Sequence, residues 1–309
     1  MVSGSNHIQD RVGVRKEVFK QLDEDFFLPS PSSTVMEVMR LCNSEETSLS
    51  DLAELIQTDP ALSIEILKYA NSAFMATGTQ VASVQKATVK LGMQTVVVLA
   101  MGFSLLASNR SGLCKGFDYP LFWQTSLAEA LAAREIAKLN KGVIPDDLFI
   151  CGLLSHMGAF SLAAIFPELY AEILETSPRT NMLKSREYEK FGIDSAELTT
   201  ELFLHWGLPG LYALATGFHE ELNHAELESG NLLRTSAIIN IAHHIAKMCQ
   251  STDPQVEILK KVVDSSEKYG IEIGVFSNTF SIIVESWHEH GKLFEISTGE
   301  CYQYSPEDE

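Results

Sequence analysis

The chain has 309 residues, 45% of them hydrophobic, which is enough to bury the core of one large domain or two ordinary ones. Its 23 basic and 41 acidic residues give a formal net charge of −18. A field of that sign repels phosphate backbones and anionic lipid surfaces. We therefore expect neither nucleic acid nor a membrane as a partner.

Compartment and thiol chemistry follow from the N-terminus, the apolar runs and the cysteines. The opening sequence MVSGSNHIQDRVGVRK lacks the apolar core of a secretion signal. The longest apolar run, TVVVLAMGFSLLA, is shorter than the roughly 20 residues that a membrane span needs. The five cysteines include no C-x-x-C pair, so neither a disulfide framework nor a structural zinc site is predicted. We expect a cytoplasmic protein with reduced thiols.

Helical patterns dominate the first part of the chain. An N-terminal helix is predicted over residues 1–21, followed by a helical lobe over residues 22–112. In SLSDLAELIQ, Ser48 and Asp51 have the spacing of a capping box, which starts a helix. Gly92, after VQKATVKL, is typical of a helix C-terminus. The lobe closes near SNRSGLCKG.

A second helical lobe is predicted over residues 113–222, opening with DYPLFWQTSLAEALAAREIAKLN and continuing through PDDLFICGLLSHMGAF. Residues 223–309 are expected to add helices that complete or pack on this lobe, and residues 305–309 (SPEDE) to form a free acidic tail. Alternating strand patterns are nearly absent. The predicted fold is therefore all-α, a two-lobed helical bundle.

Few catalytic motifs stand out. No G-x-S-x-G, Walker or Rossmann glycine pattern occurs. In HEELNH, His219 and His224 are five residues apart, about 140° around a helix, so they do not form an H-E-x-x-H zinc motif. His288 and His290 are two apart, do not share a helix face, and are expected to be solvated.

Several segments together point to a family. LPSPSSTVMEVMRLC, LAELIQTDPALSIEILKYANSAFM, FWQTSLAEALAAREIA, DDLFICGLLSHMG and FGIDSAELTTELFLHWGLPG resemble the HDOD family, the HD-related output domain of bacterial signalling proteins. The resemblance covers roughly residues 22–222. It implies an all-helical, HD-domain-like fold related to the HD and HD-GYP metal-dependent phosphohydrolases.

The resemblance also identifies the positions of a metal site. HD enzymes bind divalent metals through a histidine, a His-Asp pair and a later aspartate, often with further histidines, and leave a position for an activated water. The residues at these positions here are Thr125, the pair Ser155 and His156, Ser195, His219 and His243. Both aspartate positions carry histidine, His156 and His243, so the anionic ligands of the family are missing. A conventional HD site is therefore not expected.

These replacements leave two interpretations of the histidines. In the first, His156, His219 and His243 converge as a site for a borderline metal such as zinc. Each can equally be a buried histidine satisfied by a backbone carbonyl. The second interpretation predicts no catalytic residue and no bound cofactor, and treats these positions as vestigial.

The preferred functional hypothesis is a non-catalytic output or regulatory module that acts on a signalling protein by direct binding. One alternative is a divergent metal-dependent phosphohydrolase acting on a nucleotide or cyclic dinucleotide. A second alternative is a sensor that binds a small ligand in the vestigial cavity. No receiver, GGDEF, EAL or kinase segment is recognised in the sequence, so we expect input to come from a separate chain. The partner and the oligomeric state do not follow from the sequence.

Overall fold

The computed structural model describes residues 32–42, 47–71, 80–108, 110–177, 180–223, 227 and 230–308. Regular structure in these residues is helical and contains no β-strand, which confirms the all-α prediction. The helix predicted over residues 1–21 lies outside the described residues.

The first lobe comprises α1 (Ser33–Cys42), α2 (Leu49–Gln57), α3 (Pro60–Ala70), α4 (Val84–Leu91) and α5 (Met93–Ser108). Helix α1 packs against α5 and α2, and α2 packs against α4. The capping box at α2 is present: the Ser48 hydroxyl accepts from the Asp51 N–H, and the Asp51 carboxylate accepts from the Ser48 N–H. Gly92 ends α4 with φ of 80°, a conformation that favours glycine.

The second lobe comprises α6 (Tyr119–Leu139), α7 (Pro145–Leu154), α8 (Met157–Ile165), α9 (Pro167–Thr176), α10 (Thr180–Phe191), α11 (Ser195–His205) and α12 (Gly210–Phe218). Three helices follow it: α13 (Asn231–Met248), α14 (Val256–Tyr269) and α15 (Phe276–Phe294). Helices α5 and α7 pack together and join the two lobes.

Helix α6 is the central helix of the second lobe. All of its residues from Ser126 to Ala137 are buried, and α7, α13 and α15 pack around it. The crossing with α7 is unusually close. A Cβ atom at Gly152 would lie 2.7 Å from the Cα of Ala130 and 2.8 Å from the carbonyl oxygen of Glu129. Glycine at this position therefore lets the backbone of α7 contact α6 beside Glu129.

The helices after residue 222 pack on the second lobe. Helices α13 and α15 contact α6, and the buried Trp287 donates from Nε1 to the carbonyl of Gln124 at 3.0 Å. The expectation of a solvated His290 is wrong: this side chain is buried, and Nδ1 donates to the carbonyl of Ser286. His288 is half-buried and bonds to Thr298. These contacts make the C-terminal helices part of the same packed core.

The end of the chain has local structure where a free acidic tail was expected. Residues Pro306–Asp308 form one turn of 3-10 helix. The Asp308 carboxylate accepts hydrogen bonds from the N–H and the hydroxyl of Ser305, at 2.7 and 2.8 Å. The acidic tail predicted over residues 305–309 therefore contains a capped helical turn at Ser305–Asp308.

One segment of the described residues, Pro145–Ile165, is long and apolar enough to cross a membrane. It corresponds to α7 and α8, and 78% of its most apolar window is buried inside the fold. A second candidate, Val84–Leu91 with Thr95–Ala107, is bent by 118°. Packing in the helical core accounts for the apolar character of α7 and α8.

Candidate functional site

Four side chains from separate elements meet in the second lobe, and we call them the Glu-His cluster: Glu129, His156, His219 and His243. Glu129 comes from α6, His156 from the α7–α8 junction, His219 from the end of α12, and His243 from α13. One potential ligand atom from each residue lies within 4.8 Å of all the others. The side chain of Glu129 is 0% exposed, and those of His219 and His243 are also buried. The three histidines singled out in the sequence thus converge, together with a carboxylate that sequence analysis missed.

The position of His156 is set by a tight junction between α7 and α8. His156 is the N-cap residue of α8, and the preceding Ser155 donates from its hydroxyl to the carbonyl of Gly152. Two residues later, a Cβ atom at Gly158 would lie 1.9 Å from the carbonyl oxygen of Ser195. The Gly158 N–H donates to the Thr199 hydroxyl at 3.0 Å. Close packing against α11 therefore holds the turn that carries His156.

His219 and His243 are held by contacts between α12 and α13. His219 follows the last residue of α12, and its Nδ1 donates to the carbonyl of Thr216 at 2.5 Å. The Asn240 side chain donates to the carbonyl of His219 at 2.9 Å. Asn240 lies on α13, three residues before His243. This bond fixes the end of α12 against the helix that supplies His243.

The Glu129 carboxylate is bound by two imidazoles through a single oxygen. Its Oε2 lies 3.0 Å from Nε2 of His156 and 3.0 Å from Nδ1 of His243. Those two nitrogens are 3.2 Å apart. The other carboxylate oxygen, Oε1, and Nε2 of His219 are buried without a hydrogen-bond partner among the described residues. The cluster therefore contains two buried polar atoms whose desolvation is not compensated.

The charges in the cluster follow from burial and mutual contact. Burial opposes ionisation of Glu129, but the imidazoles of His156 and His243 outweigh it and hold the pKa of Glu129 well below its ordinary value. Burial likewise opposes protonation of His156, but Glu129 raises its pKa above the ordinary value. Burial lowers the pKa of His243, and it lowers the pKa of His219 to about 4. Contact with Glu129 therefore favours the protonated form of His156, whereas burial favours the neutral forms of His219 and His243.

A cavity of about 230 Å³ lies beside the cluster and is partly lined by His156, His219 and His243. Two of the replaced HD positions, Ser155 and Ser195, also line it, as do Lys184, Glu220 and Lys247. Lys184 forms an ion pair with Glu220 at 2.8 Å. Glu220 in turn lies 3.8 Å from Nε2 of His243. The cavity thus presents both signs of charge next to the imidazoles.

Among the residues that sequence analysis missed, Glu129 had a detectable signal. It lies four residues after Thr125 and therefore on the same face of α6, one turn along from a replaced ligand position. The expectation that the site has no carboxylate is thus corrected: Glu129 supplies one from a neighbouring position. Lys184 and Lys247 had no such signal, because only the packing of α10 and α13 brings them to one cavity.

Comparison with known proteins identifies the family. The HDOD domain model matches residues 28–222, and the chain belongs to the HDOD family. The matched region contains Glu129, His156 and His219. His243 lies beyond it, on α13, so the Glu-His cluster is completed by a helix outside the matched domain.

The chain is also similar to solved structures and to a curated protein. The MmoQ response regulator of Methylococcus capsulatus str. Bath is 32% identical, with a TM-score of 0.51, over 82% of this chain and 98% of that one. A protein of Shewanella amazonensis SB2B, named as an inferred phosphohydrolase, is 25% identical to this chain, with a TM-score of 0.68. The match covers 90% of this chain and 96% of that one. An uncharacterized protein of Treponema pallidum is 24% identical over 69% of this chain. The chain spans 42% of the length of that curated relative.

Proposed function

We propose that this chain is a signalling module that regulates a protein partner by binding to it and does not turn over a substrate. Membership of the HDOD family supports a signalling role, as does the similarity to a response regulator at 32% identity. The non-catalytic part of the proposal is supported by the geometry of the Glu-His cluster.

The observation that carries the proposal is how the Glu129 carboxylate is bound within the Glu-His cluster. HD chemistry uses carboxylates and imidazoles to hold a metal and keeps a position open for an activated water. In this chain, histidines stand at both aspartate positions of the resemblance, His156 and His243. Each of these histidines is within 3.0 Å of the same oxygen of Glu129. The residues therefore bind one another in place of the family's usual arrangement.

The size of the cavity bears on the alternative function, hydrolysis of a cyclic dinucleotide. Pockets for drug-sized ligands usually measure about 300–1,000 Å³. The cavity beside the cluster, at about 230 Å³, is smaller than this range. A cyclic dinucleotide is larger than most such ligands and would therefore extend beyond this cavity. The volume gives no support for hydrolysis of a cyclic dinucleotide enclosed in the cavity.

Helix α12 provides a physical connection between the cluster and the protein surface. His219 follows its last residue, while Leu211 and Leu214 on the same helix are 38% and 36% exposed. These leucines are three residues apart and share a face. Exposed apolar side chains of this kind are common in binding surfaces for protein partners. We therefore place part of the partner contact on this face of α12.

A phosphodiesterase assay tests the absence of turnover. The purified chain would be incubated with Mn²⁺, Mg²⁺ or Zn²⁺ and either bis(p-nitrophenyl) phosphate or a cyclic dinucleotide. We expect the same background rate from the wild type, Glu129→Gln and His156→Ala. Turnover by the wild type that is lost in both variants would refute the proposal and establish a divergent phosphohydrolase.

Partner binding requires a separate experiment in cells that express the natural chain. We expect a defined protein to co-purify with the wild type and to be lost from the double variant Leu211→Glu, Leu214→Glu. The matched control is Ile282→Glu, which adds a charge at another exposed apolar position on α15. Equal recovery of the partner from all three proteins would show that the α12 face is not the contact.

A further inference from the structure

We propose that Glu129, His156, His219 and His243 form a closed, four-ligand site for a divalent transition metal of the zinc class. This inference does not depend on the proposed function, because a closed metal site can be present whether or not the chain binds a protein partner. It rests on the geometry of the ligand atoms, on the unpaired polar atoms in the cluster, and on the chemistry of the donors.

The ligand atoms already have spacings close to those of a tetrahedral metal site. Glu129 Oε2, His156 Nε2 and His243 Nδ1 form a triangle with sides of 3.0, 3.0 and 3.2 Å. Zinc bonds to nitrogen and oxygen of about 2.0–2.1 Å place tetrahedral ligands about 3.3 Å apart. The His219 nitrogen lies within 4.8 Å of these atoms, where it can complete the fourth corner.

A metal would also satisfy a buried nitrogen that has no hydrogen-bond partner among the described residues. Nδ1 of His219 donates to the Thr216 carbonyl, which leaves the lone pair on its buried Nε2 without a partner among the described residues. A ring N–H bonded to a backbone carbonyl is the usual support for a metal-binding histidine. In the structure, His156 and His243 both direct nitrogens at one oxygen of Glu129 and at each other. A cation at the centre would instead accept one lone pair from each nitrogen.

The donor set selects the class of metal. Three imidazoles and one carboxylate suit zinc and neighbouring borderline ions, whereas Mg²⁺ and Ca²⁺ prefer sites made of oxygen atoms. Four protein ligands fill a tetrahedral zinc ion, as in structural sites, and leave no position for an activated water. The metal would therefore stabilise the arrangement of helices and would not generate a nucleophile.

This ligand set differs from the one that the HD enzymes use. Histidines occupy the two aspartate positions, His156 and His243, and the carboxylate comes from Glu129, one turn beyond Thr125. The metal would link α6, the α7–α8 junction and the end of α12 to α13, which lies outside the matched HDOD region. Metal binding would thus fasten the C-terminal helices to the family domain.

Reconstitution of the full chain tests the site. The protein would be stripped with a chelator, loaded with Zn²⁺ or Co²⁺, and passed over a desalting column before elemental analysis. We expect one metal per chain, a rise in melting temperature on loading, and the intense visible absorption of tetrahedral Co²⁺. In Glu129→Gln and His219→Gln, we expect the affinity to fall at least tenfold, as for loss of a ligand.

The controls separate loss of metal from loss of fold. His288→Gln changes a half-buried histidine outside the cluster and should bind metal like the wild type. Circular dichroism in chelator should show that Glu129→Gln and His219→Gln remain folded. Less than 0.2 metal per chain in the folded wild type, roughly the background of weak surface binding, would overturn the proposal. Stoichiometric metal that both variants retain would overturn it too. Metal that binds without turnover but leaves partner binding absent would refute only the proposed function, whereas metal-dependent turnover would also overturn the closed coordination, because turnover needs a position for an activated water.

Discussion

Oε2 of Glu129 and Nε2 of His156 lie 3.0 Å apart, although 27 residues separate them in the chain. The short distance depends on the crossing of α6 and α7, where the backbone at Gly152 contacts Ala130 and Glu129. Small residues at a crossing let two helices approach until their backbones touch. The polar cluster is therefore built on a close-packed apolar contact.

Substitution of Gly152 tests whether the domain depends on the close crossing of α6 and α7. In Gly152→Ala, the added methyl would lie 2.7–2.8 Å from backbone atoms of α6, so the two helices must separate. We expect the free energy of unfolding to fall by about 1–3 kcal/mol, as for overpacking of a core. Urea denaturation measures the change.

The matched control is Gly210→Ala, at the first residue of α12. A Cβ atom there would have no neighbour within 4 Å. Alanine has a higher helix propensity than glycine, so we expect unchanged or slightly higher stability. If Gly152→Ala unfolded at the same urea concentration as Gly210→Ala, the close crossing would not be structurally required.

A second prediction concerns the junction that carries His156. The Thr199 hydroxyl accepts from the N–H of Gly158 at 3.0 Å and donates to the carbonyl of Ser195 at 2.8 Å. Thr199→Val preserves the shape but leaves a buried N–H without an acceptor. We expect a loss of about 1–3 kcal/mol in urea denaturation. Thr176→Val, at an exposed site on α9, should change stability by less than about 0.5 kcal/mol, and equal effects at the two sites would contradict this account.

A third prediction concerns the docking of α15. Trp287 is fully buried and its indole N–H bonds to the carbonyl of Gln124 on α6. Trp287→Ala removes a large buried side chain and the bond, so we expect a loss of about 3–5 kcal/mol. Ile282→Ala, which is 51% exposed on the same helix, should have a much smaller effect. Thermal and urea denaturation of both variants would show whether the C-terminal helices unfold with the rest of the domain.

A fourth prediction concerns pH and the buried His290, which lies away from the Glu-His cluster. Burial, with a smaller contribution from the nearby cations Arg134 and Lys138, lowers its pKa from 6.5 to about 4 against the opposing effect of the Ser286 carbonyl. Because the unfolded chain binds this proton more readily, stability is retained above pH 6.5 and lost as the pH falls towards 4. The loss from this residue should reach about 3 kcal/mol, at 1.36 kcal/mol per pKa unit.

His290→Gln measures that contribution. Glutamine retains a donor for the Ser286 carbonyl but does not titrate. Urea denaturation from pH 7 to pH 4 should show a shallower decline for this variant than for the wild type. His288→Gln, a change at another histidine of the same helix, is the matched control. Parallel curves for His290→Gln and the wild type would show that His290 does not contribute to acid sensitivity.

Local physical rules in the sequence determined much of the protein. Helical periodicity, the Ser48 capping box and Gly92 were sufficient to predict an all-α chain, because hydrogen bonds and propensities within a few residues decide these features. The motif resemblance identified the family and the replaced ligand positions. The same local reasoning was wrong for His290, because exposure depends on which helices pack over a face.

Only the tertiary structure decided how the site is composed. Sequence analysis named His156, His219 and His243 but not Glu129, which brings a carboxylate back from one turn beyond Thr125. The two histidines that contact the Glu129 carboxylate, His156 and His243, are 27 and 114 residues away in the chain. Local patterns do not specify such contacts; they arise from the crossing at Gly152 and from the packing of α13 on α6. Whether a histidine on an apolar helix lies alone or beside a carboxylate depends on that packing.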